Sequence, residues 1–196
     1  MTWSKRLFDL TAALALTALL LPLIVILTLV ILIREGRPVL YISERMKTED
    51  IPFQLWKYRT MTVVDQDSGV SGGDKATRIT PTGAFLRRYR LDEIPQLWNI
   101  LRGDISFVGP RPPLRRYVEI FPDLYRDVLQ SRPGITGLAT ILFHRHEENI
   151  LADCKTPEET ELAYIRRCVP RKAALDLIYQ KRRNLCLDVA LMIKTV

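Results

Sequence analysis

The stretch LTAALALTALLLPLIVILTLVILI, residues 10–33, decides how this 196-residue chain can be arranged. It carries no charge, and its only members outside the aliphatic class are three threonines and Pro22. Because about 20 apolar residues are enough for a helix to cross the hydrocarbon layer, the segment predicts membrane residence. A cleaved signal peptide is disfavoured, since charged residues rather than a small-residue cleavage site follow Ile33.

Pro22 lies near the middle of this segment and leaves two arrangements open. Proline removes a helical hydrogen bond and clashes with the carbonyl of Ala18, so it can kink or break the helix. A helix that turns back at Pro22 would keep both basic flanks, which include Lys5 and Arg34, on the cytoplasmic face. The alternative is a tilted, kinked helix that crosses the whole bilayer, and these features do not choose between the two.

Composition limits the classes of partner and compartment. The formal net charge of +7 suits a phosphate, a nucleic acid or an anionic lipid and does not choose among them. The three cysteines form no CxxC pair and no zinc-ligand spacing with the two histidines, which indicates reduced thiols facing the cytoplasm. The length predicts one catalytic unit beside the membrane segment.

Short strands are predicted directly after the membrane segment. RPVLYI and PFQLWKYRTM, residues 37–42 and 52–61, are rich in β-branched and aromatic residues and are separated by a polar turn. They predict a small β-hairpin. A Gly-, Ser- and Asp-rich stretch at residues 65–75 predicts a mobile loop.

Helical periodicity dominates the remainder. Capping residues, prolines and glycines divide it into predicted helices that begin near residue 82, at Asp92, near residue 114 and at Thr156. The C-terminal stretch from about residue 173 is amphipathic and basic, which predicts either a helix on the membrane surface or a terminal helix packed on the core. Together with the hairpin, this pattern predicts an α+β fold.

Asp92 and Glu93 form a candidate catalytic pair, directly after the basic run RRYR at residues 87–90. The N-terminus of a helix beginning at Asp92 would favour negative charge and could also hold a phosphate oxygen. An ionised carboxylate can attack a phosphoryl group, and its neighbour can bind Mg²⁺. A plain acidic helix cap is the structural alternative, which local spacing does not exclude.

Basic side chains on stiff backbone are candidate phosphate ligands. Arg111 lies in FVGPRPP, residues 107–113, where prolines fix the backbone and the guanidinium fork matches phosphate oxygens. Lys57 and Arg59 alternate along a predicted strand and therefore share one face. A solvated loop arginine and a solvated strand face remain the alternatives.

Three strings carry a resemblance to a known family. They are WKYRTM at residues 56–61, RITPTGAFLRRYRLDEIPQLWNILRGDISFVGPRPP at residues 78–113 and SRPGITGLA at residues 131–139. Together they resemble the bacterial sugar transferases, the monotopic phosphoglycosyl transferases. The resemblance implies a re-entrant helix broken at Pro22 over residues 1–36. It also implies a catalytic domain over residues 37–196, with amphipathic interface helices, embedded in the cytoplasmic face of the bacterial inner membrane.

The resemblance also implies a reaction. Asp92 would attack the β-phosphate of a UDP-sugar and expel UMP, and Glu93 would help to hold Mg²⁺, with Asp92 as a second ligand, or to transfer a proton. Polyprenyl (undecaprenyl) phosphate would then take the sugar phosphate from Asp92, as the first membrane step of polysaccharide or glycoconjugate assembly. The positions that match the family's phosphate- or nucleotide-binding motifs are Lys57, Arg87, Arg111 and Arg145, and the strand pattern adds Arg59.

The partners implied are a UDP-sugar, polyprenyl phosphate and membrane lipid, without nucleic acid, and a homo-oligomer is left open. After Ala139 the chain reads TILFHRHEEN, where many members have an AQV-type continuation. The roles expected for Arg145 and for an acidic partner at Glu161, and the identity of the sugar, therefore depend on a region that diverges from the family.

Two rival functions remain. One is a membrane scaffold that binds anionic lipid or nucleic acid, and the other is an enzyme that transfers by direct displacement.

Overall fold

The structure, a computed structural model, describes residues 2–63 and 78–195. The loop predicted at residues 65–75 lies outside these residues. In the described part of the chain, helices predominate around two small two-stranded sheets. The predicted α+β class is confirmed in this coarse form.

The apolar segment lies in one long helix, α1 (Trp3–Glu35). Thr2 caps its beginning, where the Thr2 hydroxyl accepts a hydrogen bond from the Lys5 amide. Gly36, with a φ of 73°, ends it in a conformation that glycine adopts readily. Pro22 does not divide α1 into two separate helices. The turn back at Pro22 therefore stays a prediction.

The surface of α1 separates it from an ordinary core helix. By length and composition it can cross a membrane, and only 11% of its most apolar window is buried inside the protein. A core helix of a soluble protein would be mostly buried. Leu19 and Ile33 are largely exposed, at 74% and 80%, while Leu27 and Ile31 pack against the rest of the chain. This surface is compatible with membrane association.

The predicted hairpin is confirmed. Strands β1 (Leu40–Met46) and β2 (Pro52–Tyr58) pair antiparallel, and the Lys47 amide donates to the Ile51 carbonyl across the connecting turn. Phe53 and Leu55 of β2 are buried in the main core. The next side chain on their face is Lys57. The buried pair thus sets the direction in which β2 presents Lys57.

The helix predicted from Asp92 begins later than expected. Helix α2 (Pro81–Arg88) is followed by a 3₁₀ turn (Leu91–Glu93), and α3 runs over Gln96–Arg102. Pro95 has no N–H to donate to the Leu91 carbonyl, so the α-helical hydrogen-bond ladder cannot start at Asp92. The prediction of an α-helix N-terminus at Asp92 was therefore wrong, and the acidic pair occupies the 3₁₀ turn.

A second sheet connects the string at residues 78–113 with the string at residues 131–139. Strands β3 (Ser106–Val108) and β4 (Gly134–Thr136) pair in parallel. A Cβ on Gly134 would overlap the Gly109 amide nitrogen, and one on Gly137 would overlap the Gly109 carbonyl oxygen. The two backbones are therefore in direct contact, an approach that only glycine permits.

The remaining helices enclose this second sheet and the hairpin. In place of the one helix predicted near residue 114, the structure has two short helices that meet at Phe121. The predicted helix cap at Thr156 is confirmed, because the Thr156 hydroxyl accepts a hydrogen bond from the Glu159 amide. The C-terminal helix buries Leu191 in the core and leaves Ile193 71% exposed, so it has both a core face and an apolar outer face. These elements are α4 (Arg115–Ile120), α5 (Pro122–Val128), α6 (Leu138–Ala152), α7 (Pro157–Ala163), a π turn (Tyr164–Cys168), α8 (Val169–Arg182) and α9 (Leu185–Thr195).

Candidate active site

Two predicted basic residues converge on one carboxylate oxygen of a third predicted site residue, Glu93. The Lys57 ammonium, at the end of β2, donates to Glu93 Oε1 at 2.7 Å. A guanidinium nitrogen of Arg111, from the turn after β3, lies 3.8 Å from the same oxygen. The side chains of Lys57 and Glu93 are 18% and 12% exposed, so the pair is largely withdrawn from water.

The two neighbouring carboxylates have different electrostatic surroundings. Burial acts to raise the pKa of Glu93, but the charges of Lys57 and Arg111 and the hydrogen bond from Lys57 outweigh it and hold that pKa below its ordinary value. Burial raises the pKa of Asp92, which the charges of Lys57 and Arg87 oppose and that of Glu93 reinforces. Glu93 is thus an ion-pair partner, and Asp92 is the less stabilised, more basic anion.

The Asp92 carboxylate differs from Glu93 also in its contacts: it has a hydrogen bond from its own backbone amide but none from a described side chain. Among residues 2–63 and 78–195 it receives no side-chain hydrogen bond and forms no ion pair. Arg90, two residues before it, has a left-handed backbone with a φ of 53°. Such a conformation is uncommon for a long side chain and clusters at functional turns. The turn therefore presents a half-buried carboxylate that no described side chain neutralises.

Asn99 ties the strand that carries Lys57 to the helix that follows the acidic pair. Its side chain is fully buried; the amide nitrogen donates to the Gln54 carbonyl and Asp104, and its oxygen accepts from the Trp56 amide. Lys57 directly follows Trp56. These hydrogen bonds hold β2 against α3 and thereby fix Lys57 opposite Glu93.

The turn that carries Arg111 is held on both sides. The Pro110 carbonyl accepts from the Gly134 amide at 2.9 Å, and the Pro113 carbonyl accepts from the Met46 amide at 3.0 Å. The turn is thereby bonded to both β4 and β1. This supports the expectation that Arg111 projects from stiff backbone, which lowers the ordering cost of anion binding.

The other three predicted basic residues lie in different places. Arg87 donates to the Thr60 hydroxyl at 2.9 Å, and its charge acts on Asp92, so it belongs to the site's surroundings. Arg59 donates to the carbonyls of Glu35 and Gly36 at the end of α1, a capping contact that sequence reasoning missed. No contact of Arg59 in the described ranges supports a phosphate role, which stays a prediction.

Arg145 and its expected acidic partner are not brought together. Arg145 is exposed on α6. Glu161 instead pairs with Arg116 at 3.1 Å and accepts from the Tyr117 hydroxyl. The geometry thus leaves a phosphate role for Arg145 as a prediction from the resemblance alone.

The carboxylates of Asp92 and Glu93 fit Mg²⁺ only as a site shared with a substrate. No group of three or more His, Cys, Asp or Glu suited to a metal ion occurs within the described ranges. Mg²⁺ commonly takes one or two protein carboxylates and completes its oxygen shell with water and substrate phosphates. Asp92, which forms no ion pair with a described residue, and the second oxygen of Glu93 could provide those ligands.

A cavity opens beside Arg111 that the sequence did not indicate. Arg45, Tyr125 and Asp176, from β1, α5 and α8, line it together with Arg111. These residues are far apart in the sequence, and each stands in a local pattern typical of a strand or an amphipathic helix. The basic side chains were visible only as scattered charges, so no signal pointed to a shared site.

Several known proteins are similar to this chain in sequence. The family model described as bacterial sugar transferase matches residues 1–196. The sugar transferase EpsL of Bacillus subtilis is 40% identical over 137 residues, which are 70% of this chain and 67% of that protein.

Two longer relatives carry more specific names. The UDP-glucose:undecaprenyl-phosphate glucose-1-phosphate transferase of Klebsiella pneumoniae is 34% identical over 83% of this chain and 36% of that protein. The UDP-N-acetylgalactosamine-undecaprenyl-phosphate N-acetylgalactosaminephosphotransferase of Aeromonas hydrophila is 30% identical over 98% of this chain and 42% of that protein. The chain therefore spans less than half the length of these two relatives.

The family and these names indicate a sugar-phosphate transferase, which is the enzyme class expected from the central strings. The family match includes the Asp92 turn, the Lys57 strand and the Arg111 turn, whose side chains meet in the structure. By the match over its whole length and by its identity to EpsL, the chain belongs to the bacterial sugar transferase family.

Proposed function

We propose that this chain transfers a sugar 1-phosphate from a UDP-sugar to undecaprenyl phosphate and releases UMP. The observation that carries the proposal is the Asp92 carboxylate, which forms no ion pair among the described residues, beside Glu93, on whose Oε1 both Lys57 and Arg111 converge. The names of the Klebsiella and Aeromonas relatives, which specify UDP-sugar donors and undecaprenyl phosphate, support the substrate classes.

In the first step, an oxygen of Asp92 attacks the β-phosphorus of the donor. A carboxylate–phosphorus bond forms, the bond from the β-phosphorus to the bridging oxygen breaks, and UMP leaves with that oxygen. Lys57 and Arg111 stabilise the charge that develops on the phosphoryl oxygens. Glu93 holds Lys57 in place, and its charge and hydrogen bond oppose the lowering of the Lys57 pKa that burial and Arg111 cause.

In the second step, a phosphate oxygen of undecaprenyl phosphate attacks the phosphorus of the Asp92 adduct. The carboxylate–phosphorus bond breaks, and undecaprenyl diphosphate sugar leaves with Asp92 restored. Mg²⁺, when bound by Asp92 and Glu93 together with the substrate phosphates, supplies charge neutralisation to this centre.

We also propose that α1 is re-entrant and that the rest of the chain lies on the cytoplasmic face of the bacterial inner membrane. At one end of α1, Lys5 pairs with Asp188 at 2.6 Å and Arg6 donates to the Ile100 and Leu101 carbonyls. At the other end, Arg59 donates to the Glu35 carbonyl. Contacts at both ends support the proposal, because a simple span would leave one end across the bilayer.

The division into a membrane segment at residues 1–36 and a catalytic domain at residues 37–196 belongs to the same proposal. The apolar outer face of α9, with Val189 40% and Ile193 71% exposed, supports an interface helix there. The role in polysaccharide or glycoconjugate assembly follows from the undecaprenyl-linked product.

The test is release of UMP from a panel of UDP-sugars by membranes containing the protein, with Mg²⁺ and undecaprenyl phosphate present. We expect Asp92→Asn to abolish release and the wild type, without acceptor, to show a phosphosugar adduct by intact mass. Asp123→Asn, at a carboxylate 90% exposed on α5, is the matched control and should retain activity. No UMP from any donor contradicts the function, and turnover without an adduct favours direct displacement.

A further inference from the structure

The cavity beside Arg111 contains polar groups that the proposed reaction does not use. It has a volume of about 70 Å³ and opens to solvent, and its walls come from β1, the Arg111 turn, α4, α5, the π turn and α8. That volume is several times the roughly 10–15 Å³ that one water needs, so the cavity can take part of a small ligand such as one flat ring. Since Arg111 also faces Glu93, the cavity adjoins the centre where the phosphates would react.

Asp176 is the acidic group of this cavity. Its side chain is more than nine-tenths buried, with 7% exposed, and Oδ1 has no hydrogen-bond partner among the described residues. Burial raises the pKa of Asp176 to about 7, which the charge of Lys172 opposes. A buried carboxylate without a partner is costly, so its presence indicates a ligand that donates a hydrogen bond.

Two hydrogen-bond donors line the same cavity as this acceptor. Arg45 has a buried Nε without a partner in the described part of the chain, and no side-chain hydrogen bond of the Tyr125 hydroxyl occurs among the described residues. Burial, with Tyr164 and Asp176 adding, raises the pKa of Tyr125, so its hydroxyl remains protonated and can donate. The cavity thus combines one free acceptor with at least two free donors.

Aromatic rings form part of the wall. The Tyr117 and Tyr164 rings lie 5.1 Å apart at 45°, and both line the cavity. Tyr164 opens the π turn (Tyr164–Cys168), a local distortion that occurs frequently at functional sites. The face of an aromatic side chain suits the flat face of a planar ring, which can stack on it.

We propose that this cavity binds the base of the nucleotide donor and that Asp176 selects uracil by accepting its ring N–H. This inference rests on the proposed function, which supplies a nucleoside diphosphate sugar whose phosphates lie at Arg111 and Lys57. Uracil presents an N–H between two carbonyls. The carboxylate of Asp176 matches the N–H, and Tyr125 and Arg45 match the carbonyls.

Cytosine differs at the position that Asp176 would contact. Its ring nitrogen there is an acceptor, and its exocyclic amine replaces one carbonyl. The ionised carboxylate of Asp176, the main form above its pKa of about 7, would face that lone pair without a proton between them, so UMP and CMP are compared at pH 8. A site built to bond an N–H rejects the analogue that lacks it, because its own polar group is then left unpaired.

The experiment measures binding of UMP and CMP to the purified full-length chain in detergent, with the wild type, Asp176→Asn and the exposed control Asp123→Asn. We expect the wild type and the control to prefer UMP. Asp176→Asn should bind UMP about 10-fold more weakly without weakening CMP, because it loses a charged acceptor while its amide can donate to the cytosine nitrogen. Tyr125→Phe, which removes only a hydroxyl, should weaken UMP by a smaller factor.

The outcomes separate this inference from the proposed function. A wild type that neither binds UMP nor releases it from any UDP-sugar contradicts the function itself. A wild type that binds UMP, with Asp176→Asn and Tyr125→Phe retaining its UMP affinity and its preference over CMP, overturns the inference alone. A changed preference among UDP-sugars with unchanged UMP binding also overturns it, since the cavity then holds the sugar. Tyr125→Phe decides the matter if Asp176→Asn does not fold.

Discussion

Replacing Lys57 with Met should lower the free energy of unfolding by about 3 kcal/mol, because it leaves the Glu93 carboxylate without its main partner. The two groups are 2.7 Å apart and 18% and 12% exposed, so water replaces the lost ammonium only in part. Removing one member of a buried pair commonly destabilises by about 3 to 5 kcal/mol. Arg111, which lies 3.8 Å from the same oxygen, remains as a second positive charge, so we expect the loss to lie at the lower end of that range.

The pH dependence of this loss has a definite sign. In the wild type the pKa of Glu93 is held below its ordinary value, so the stabilisation is present above the unfolded-state pKa, about 4.3. It is lost as the pH falls through the lower folded-state pKa. Urea unfolding in detergent, followed by tryptophan fluorescence, should show the full difference between wild type and Lys57→Met near pH 7. The difference should shrink toward pH 3.

Two further variants make the measurement specific. Adding Glu93→Gln to Lys57→Met removes the stranded charge and should recover about 1 kcal/mol or more. Arg115→Met breaks an exposed pair with Glu44, whose side chains are 46% and 44% exposed, and should cost less than about 1 kcal/mol. If Lys57→Met unfolds at the same urea concentration as the wild type at pH 7, the ion pair does not stabilise the fold and the reasoning is wrong.

Three other predictions concern the backbone contact, the metal and the membrane. Gly134→Ala should destabilise the chain by about 1 to 3 kcal/mol or more, because its Cβ would overlap the Gly109 backbone, and a wild-type melting temperature would contradict this. Chelation of divalent ions with EDTA should stop UMP release and added Mg²⁺ should restore it; undiminished turnover in EDTA would remove the metal from the scheme. Single cysteines at Thr2 and at Gly36, in a chain without its native cysteines, should both resist an external impermeant thiol reagent, whereas labelling of one end indicates a full span.

The fold could be predicted from the sequence where one local pattern determines the structure. A charge-free apolar stretch of this length predicts a helix, and two β-rich segments around a polar turn predict a hairpin; the structure contains both. The start of α3 was missed because the acidic first turn favoured a helix at Asp92. The missing N–H of Pro95 delayed the helix to Gln96.

The candidate site was predictable only through the resemblance. Asp92 alone was no better than a helix cap, and nothing local links Lys57 to a carboxylate 36 residues away. Asp176 and Tyr125 escaped prediction for a different reason. Their local patterns are those of packed amphipathic helices, and only the tertiary fold turns both toward one cavity.

The contact among Gly109, Gly134 and Gly137 has a consequence for how this enzyme can diversify. Main chain touches main chain there, so the position of Arg111 is independent of any neighbouring rotamer. Mutations that accumulate along α6, which begins directly after Gly137, can remodel the outer surface without displacing the backbone of Arg111. The Klebsiella relative is named for glucose and the Aeromonas relative for N-acetylgalactosamine, and a backbone frame of this kind would let proteins of one family differ in the sugar without moving this turn.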